Sequence, residues 1–120
     1  MTIIGILIIL AIAIYVLAPK GNVKGINAID SDGLRALVSQ GNLQMIDVRT
    51  PEEYRSNHVK GFKNIPLQQL NTQLNTLDTS KPIVVICASG ARSGQASQLL
   101  SKNGFSSIYN FSGGINAYRK

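Results

Sequence analysis

Apolar residues fill the start of the chain without a break, then alternate with polar ones in short segments. Thr2 to Ala18 reads TIIGILIILAIAIYVLA, seventeen residues without a charge. As a helix rising ~1.5 Å per residue it would span about 25 Å, the short end of what crosses a bilayer. A buried core helix does not fit, because the run is apolar on every face. A cleaved signal peptide would place basic residues before the apolar core and a small-x-small site after it. Here only Met1 and Thr2 come first, and the core ends Val16-Leu17-Ala18-Pro19. The pattern therefore predicts a transmembrane anchor over residues 2–18, a juxtamembrane linker over 19–26 and a domain over 27–120.

Beyond the linker the pattern changes period. Ile29-Asp30-Ser31 followed by Leu34, Leu37 and Val38 predicts a helix, with Gly41 as its stop. Leu43 to Val48 predicts a buried strand. Thr50-Pro51-Glu52-Glu53 has the form of a capping box opening a short helix through Arg55, with Thr50 as cap and Glu53 reaching back. Gly61 to Pro66 reads as a turn and short strand, and Leu67, Leu70, Leu74 and Leu77 form a helical core stripe. Ile83 to Ile86 is a β-branched run suited to a central parallel strand. A helix is expected to begin near Ser93, with Ala96, Leu99 and Leu100 inward and Gly104 past its end. Ser107 to Phe111 predicts a last strand, and Ser112-Gly113-Gly114 a turn into a closing helix. Alternating strands and helices predict an α/β fold, a mainly parallel central sheet flanked by helices.

Charge alters this picture in two ways. All twelve Lys and Arg and all six acidic residues follow residue 19, so the net charge of +6 belongs to the part of the chain after the anchor (linker and domain together). The basic residues are scattered, with no run longer than two, so no nucleic-acid partner is expected; anionic lipid or a small anionic substrate fits better. Lys20 and Lys24 flank the apolar run on one side only, which predicts a single-pass membrane protein whose C-terminal domain is cytoplasmic. A single cysteine and a single histidine exclude an internal disulfide and leave no Cys/His set for a structural metal. An unpaired thiol also suits a reducing compartment.

That cysteine, Cys87, ends the most apolar strand, and Ala88-Ser89-Gly90-Ala91-Arg92 connects it to the next helix. A strand-to-helix loop turns backbone N–H groups toward a common centre and stabilises an anion there. Gly90 can adopt the backbone angles that let them converge. Arg92 adds a positive charge, which the sequence places facing solvent in the pocket, and Ser93 adds a hydroxyl at the helix start. Together these favour thiolate over thiol at Cys87. Asp47 and Arg49 either pair near the loop and orient it, or satisfy backbone groups at a strand end. His58 has no serine or acidic partner at motif spacing, so a structural or surface role is expected.

Cys87-Ala88-Ser89-Gly90-Ala91-Arg92-Ser93 resembles the CxxGxRS active loop of the rhodanese family. Met45-Ile46-Asp47-Val48-Arg49 with Glu52-Glu53-Tyr54 is similar to that family's first motif. His58 to Pro66 resembles its segment of recurring His, Gly, Asn, Ile and Pro, and Gly113 to Tyr118 its closing GGxxAW. Two positions depart from the family: Tyr118 stands where Trp is usual, and Asn57 where Gly usually precedes the His. The resemblance implies a sulfurtransferase in which Cys87 is the catalytic nucleophile and carries sulfur as a persulfide. It also implies that Ala88, Ser89, Gly90, Ala91, Arg92 and Ser93 bind the substrate, with no cofactor or metal. The implied partners are a small anionic sulfur donor, thiosulfate or a persulfide, and a thiol or cyanide-like acceptor. Two rivals stand beside this reading. A cysteine phosphatase wants five residues between Cys and Arg, and four intervene here; a tethered binding module would need no reactive thiol.

Overall fold

The computed structural model describes residues 25–120. The predicted anchor and most of the linker lie outside that range. Among the described residues no helix is long and apolar enough to cross a membrane.

Five strands form one sheet: β1 (Ile26–Ile29), β2 (Gln44–Asp47), β3 (Lys63–Asn64), β4 (Ile83–Ile86) and β5 (Ile108–Phe111). Their spatial order is β1-β5-β4-β2-β3, and every pairing is parallel. Parallel neighbours need crossovers, and the helices supply them: α1 (Ser31–Gln40), α2 (Pro51–Ser56), α3 (Leu67–Leu70) and α4 (Ala91–Lys102). The predicted α/β class with a parallel sheet is the observed one. β1 has no counterpart in the sequence reading. Ile26 already belongs to this strand, so ordered secondary structure begins inside the stretch assigned to the linker.

β4 is central and fully buried at all four positions. Its side chains alternate between two cores, as a strand's period of two requires. Ile83 and Val85 join Ile46, Leu70, Ala96 and Leu100 beneath α3 and α4, and Cys87 continues that face. Val84 and Ile86 join Leu34, Val59, Phe62 and Phe111 beneath α1. Covering both faces of β4 is what lets an unbroken apolar run fold as a strand.

Local signals set most boundaries. Asp30 caps α1 by accepting from Gly33 N at 3.0 Å. Thr50 and Glu53 form the reciprocal capping box of α2, with Pro51 in its first turn. Val38, one of the apolar residues at helical spacing on α1, is 50% exposed near the helix end. The leucine stripe is core, but it is not one helix. α3 stops after four residues and a 3₁₀ turn spans Leu74–Thr76. The Thr72 and Thr76 hydroxyls donate to Gln69 O (2.8 Å) and Gln73 O (2.7 Å), closing tight turns that compete with a continuous helix. The closing helix shrinks in the same way to a 3₁₀ turn at Ile115–Ala117.

Candidate active site

β4 delivers Cys87 to the carboxyl edge of the sheet, where ligands of open α/β folds bind. The chain then reverses through Ala88-Ser89-Gly90 into α4. Gly90 is the N-cap of that helix at φ +106°, a region L-residues rarely enter. α4 begins at Ala91, two residues before the predicted start, so Ala91, Arg92 and Ser93 lie in its first turn.

The sulfur sits inside this reversal. Gly90 N donates to Cys87 Sγ at 3.0 Å, and Sγ lies 3.4 Å from Ser93 Oγ. Ser93 is fully buried, with its Oγ 2.6 Å from Asn110 Oδ1 and 3.1 Å from Gly90 O. Burial alone would push the Cys87 thiol up, but the Ser93 hydroxyl and the amides of Ser93, Gly90 and Ser89 outweigh it. The thiol pKa falls below its ordinary value. Ser93→Ala removes the first of these stabilising groups. The pH midpoint of Cys87 alkylation by iodoacetamide is expected to rise in that variant, because less thiolate persists at a given pH. An unchanged midpoint would assign the stabilisation to the amides alone.

The closing segment presses on the loop from outside. Ile115 N donates to Cys87 O at 2.7 Å and Asn116 N to Ala88 O at 3.3 Å. Contact is so close that a Cβ on Gly90 would lie 2.1 Å from Ser112 O, and one on Gly114 2.2 Å from Ala88 O. The turn from Ser112 to Asn116, with Gly114 at its closest approach, is thus the clamp that fixes the loop's shape.

Asp47 and Arg49 do pair. Asp47 Oδ2 accepts from Arg49 Nη2 at 2.8 Å, and Oδ1 accepts from both Arg49 Nε and its backbone N at 3.0 Å. Both side chains are buried. The ion pair and the backbone partner are thus present together. Arg49 Nη2 also donates to Asn57 O at 2.6 Å, tying the end of β2 to the end of α2. Asn57 has extended backbone angles (φ −164°, ψ 147°), so glycine is not required there. Tyr118 packs against Phe111 in the α1-side core, in the place of the usual Trp.

Arg92 departs from expectation. Rather than standing free toward solvent, its guanidinium grips Glu53 end-on, Nη1 to Oε1 at 2.7 Å and Nη2 to Oε2 at 2.9 Å. The pair holds Glu53 down to about 2, chiefly through the Arg92 hydrogen bonds. Its stabilising share is therefore complete above the ordinary carboxylate range and is lost as pH falls toward 2. His58 lies outside the chemistry: its ring stacks on Tyr54 with centroids 3.9 Å apart, and Nδ1 donates to Tyr54 O at 2.8 Å.

Three contributors were not singled out from sequence. The sequence marks Glu53 as a cap and a member of the first motif, and Gly114 as a turn residue of the closing motif, but neither as a neighbour of the loop. Asn110 gave no signal, since a polar residue in a half-buried strand is ordinary. Among the described residues no three of His, Cys, Asp and Glu gather as a metal site.

Known proteins are similar to this chain in sequence and in fold. The chain is 47% identical over 72 residues to the uncharacterized protein YqhL of Bacillus subtilis, covering 60% of this chain and 57% of that one. It is 40% identical over 70 residues to the thiosulfate sulfurtransferase PspE of Escherichia coli, covering 57% of this chain and 67% of that one. The matched part thus spans little more than half of the Bacillus relative. Among solved structures, a rhodanese-like domain protein from Staphylococcus aureus superposes with a TM-score of 0.71 at 28% identity, covering 78% of this chain and 92% of that one. The profile of the rhodanese-like domain matches residues 30–120, from the cap of α1 to the C-terminal residue, and the chain belongs to that family.

Proposed function

We propose that the protein is a sulfurtransferase that carries sulfane sulfur as a persulfide on Cys87. The observation that carries this reading is the sulfur's position in a ring of amides, with Gly90 N 3.0 Å from Sγ. Such a ring favours the thiolate and, after reaction, a terminal persulfide anion one bond further out. The Cys87 thiolate attacks the outer sulfur of a donor. An Sγ–S bond forms as the donor's S–S bond breaks, and the donor's remainder leaves with the electron pair; for thiosulfate this is sulfite. A nucleophilic acceptor, a thiol or cyanide, then takes the terminal sulfur and Cys87 leaves as thiolate. The chain's one cysteine provides no resolving thiol, which suits a carrier. Neither step calls on a cofactor.

Phosphatase chemistry is the nearest alternative, and the loop argues against it. Four residues between Cys87 and Arg92 make a ring one residue tighter, and the guanidinium is already engaged by Glu53. The uncharged run over residues 2–18, with Lys20 and Lys24 after it, supports anchoring at the cytoplasmic face of a membrane.

Intact-mass measurement after adding a sulfane donor tests the chemistry. The expected result is a gain of one sulfur atom, removed by reductant and absent in Cys87→Ser. Sulfur gained equally by Cys87→Ser, or by neither protein with any donor class, would overturn the assignment.

A further inference from the structure

Glu53 is held from two sides. Its Oε1 accepts from Thr50 N at 3.2 Å and Thr50 Oγ1 at 3.1 Å as part of the α2 cap, while both carboxylate oxygens accept from Arg92. The capping box thus positions a carboxylate against the guanidinium of the loop that holds the sulfur. The two side chains are 34% and 35% exposed, so a dissolved anion can reach the pair, and Arg92 lies close enough to Cys87 for their charges to interact. Arg92, the charge in the loop best placed to receive an anion, is therefore already matched. A doubly charged donor must either break a two-point ion pair or lie beside a fixed carboxylate. A donor whose only charge is on the sulfur chain itself places that charge into the amide ring and meets Glu53 least.

Resting on the sulfurtransferase reading, we infer that Glu53 is a specificity-determining residue that tilts the site toward persulfides and other singly charged sulfane donors over dianionic thiosulfate. The carboxylate stays ionised well below neutrality, so the discrimination operates throughout the physiological range. The chemical step is the same for either class. The thiolate forms an Sγ–S bond, the donor S–S bond breaks, and sulfite leaves from thiosulfate or a sulfinate from an organic thiosulfonate.

Glu53→Gln separates charge from structure, because glutamine also closes a capping box. The full-length protein is assayed with thiosulfate, a dianion, and benzenethiosulfonate, a monoanion that presents the same sulfane sulfur. KM for thiosulfate is expected to fall about fivefold in Glu53→Gln, the scale of one partly exposed charge interaction. KM for the thiosulfonate should fall by less than half that factor, with kcat for both little changed. Arg92→Gln leaves the carboxylate unmatched and should raise KM for thiosulfate more than for the thiosulfonate. Equal changes for the two donors in both variants would overturn the specificity role and leave the sulfurtransferase reading standing. Failure of the unsubstituted protein to load sulfur from either donor would overturn both.

Discussion

Gly114→Ala is expected to slow persulfide formation by about 100-fold, the usual cost of displacing reacting groups by about an ångström. Its Cβ would lie 2.2 Å from Ala88 O, 2.4 Å from Ala88 C and 2.5 Å from Ser89 N. All three neighbours are backbone, so no side chain can swing aside. Either the loop or the closing turn must move, and both carry the bonds that define the site, Ile115 N to Cys87 O and Asn116 N to Ala88 O. A displaced loop no longer points Gly90 N at the sulfur. Gly41→Ala is the matched control. Gly41 also has a positive φ (+80°), yet nothing lies within 4 Å of an added Cβ. It bears comparable backbone strain, about 1–3 kcal/mol, without touching the loop. Melting temperatures of both variants should fall, and sulfur loading should fall only in Gly114→Ala. Full loading in Gly114→Ala would show that the clamp is dispensable.

The same contrast explains which parts of the site were legible in the sequence. Cys87, Gly90 and Ser93 announced themselves because their roles depend on neighbours close in sequence: a strand end, a reversal and a helix start. The capping box over Thr50 to Glu53 was legible for the same reason. What sequence did not reveal joins distant segments. Glu53 and Arg92 lie thirty-nine residues apart, and Ser93 and Asn110 seventeen. Each residue had a sufficient local explanation, so nothing pointed to the second role. β1 escaped notice because Ile26–Ile29 is short, only partly buried, and sits at the sheet edge, where alternation is weak. The leucine stripe carried the right burial and the wrong continuity. Apolar spacing reports which side faces the core, while backbone-seeking threonines decide whether the helix continues.

Asn110 illustrates how little a pairwise reading captures. The Ser93 hydroxyl has one proton, and three oxygen or sulfur atoms lie within its reach: Asn110 Oδ1, Gly90 O and Cys87 Sγ. While the thiol keeps its proton, Cys87 donates to Ser93 Oγ and the serine proton can go to Asn110. Once the thiolate forms, the same hydroxyl can turn to the sulfur. A buried rotor with alternative acceptors thus follows the charge on the cysteine without any backbone motion.

Arg49→Ala should be the most destabilising of these substitutions, costing about 3–5 kcal/mol. The loss is larger than that of an ordinary ion pair because Asp47 is fully buried and would be left without its counterion. Asn57 O would also lose its 2.6 Å donor. Against a typical stability of about 5–15 kcal/mol this is a large fraction, and the melting temperature should drop by about 12 °C or more. The consequence reaches the site through the sheet: Asp47 is in register with Ile86, the residue before Cys87, and Val48 N donates to Ile86 O at 3.0 Å. Arg49→Lys keeps a charge but cannot reproduce the side-on fork, so it should fall between the two. The decisive comparison is Asp47→Asn combined with Arg49→Met. It removes both charges, keeps an acceptor for the Arg49 backbone N–H and replaces the stem with apolar volume. Recovery of most of the lost stability in this double variant would show that the single substitution acts by stranding a charge. A double variant as unstable as Arg49→Ala would assign the cost instead to the lost tie between β2 and α2.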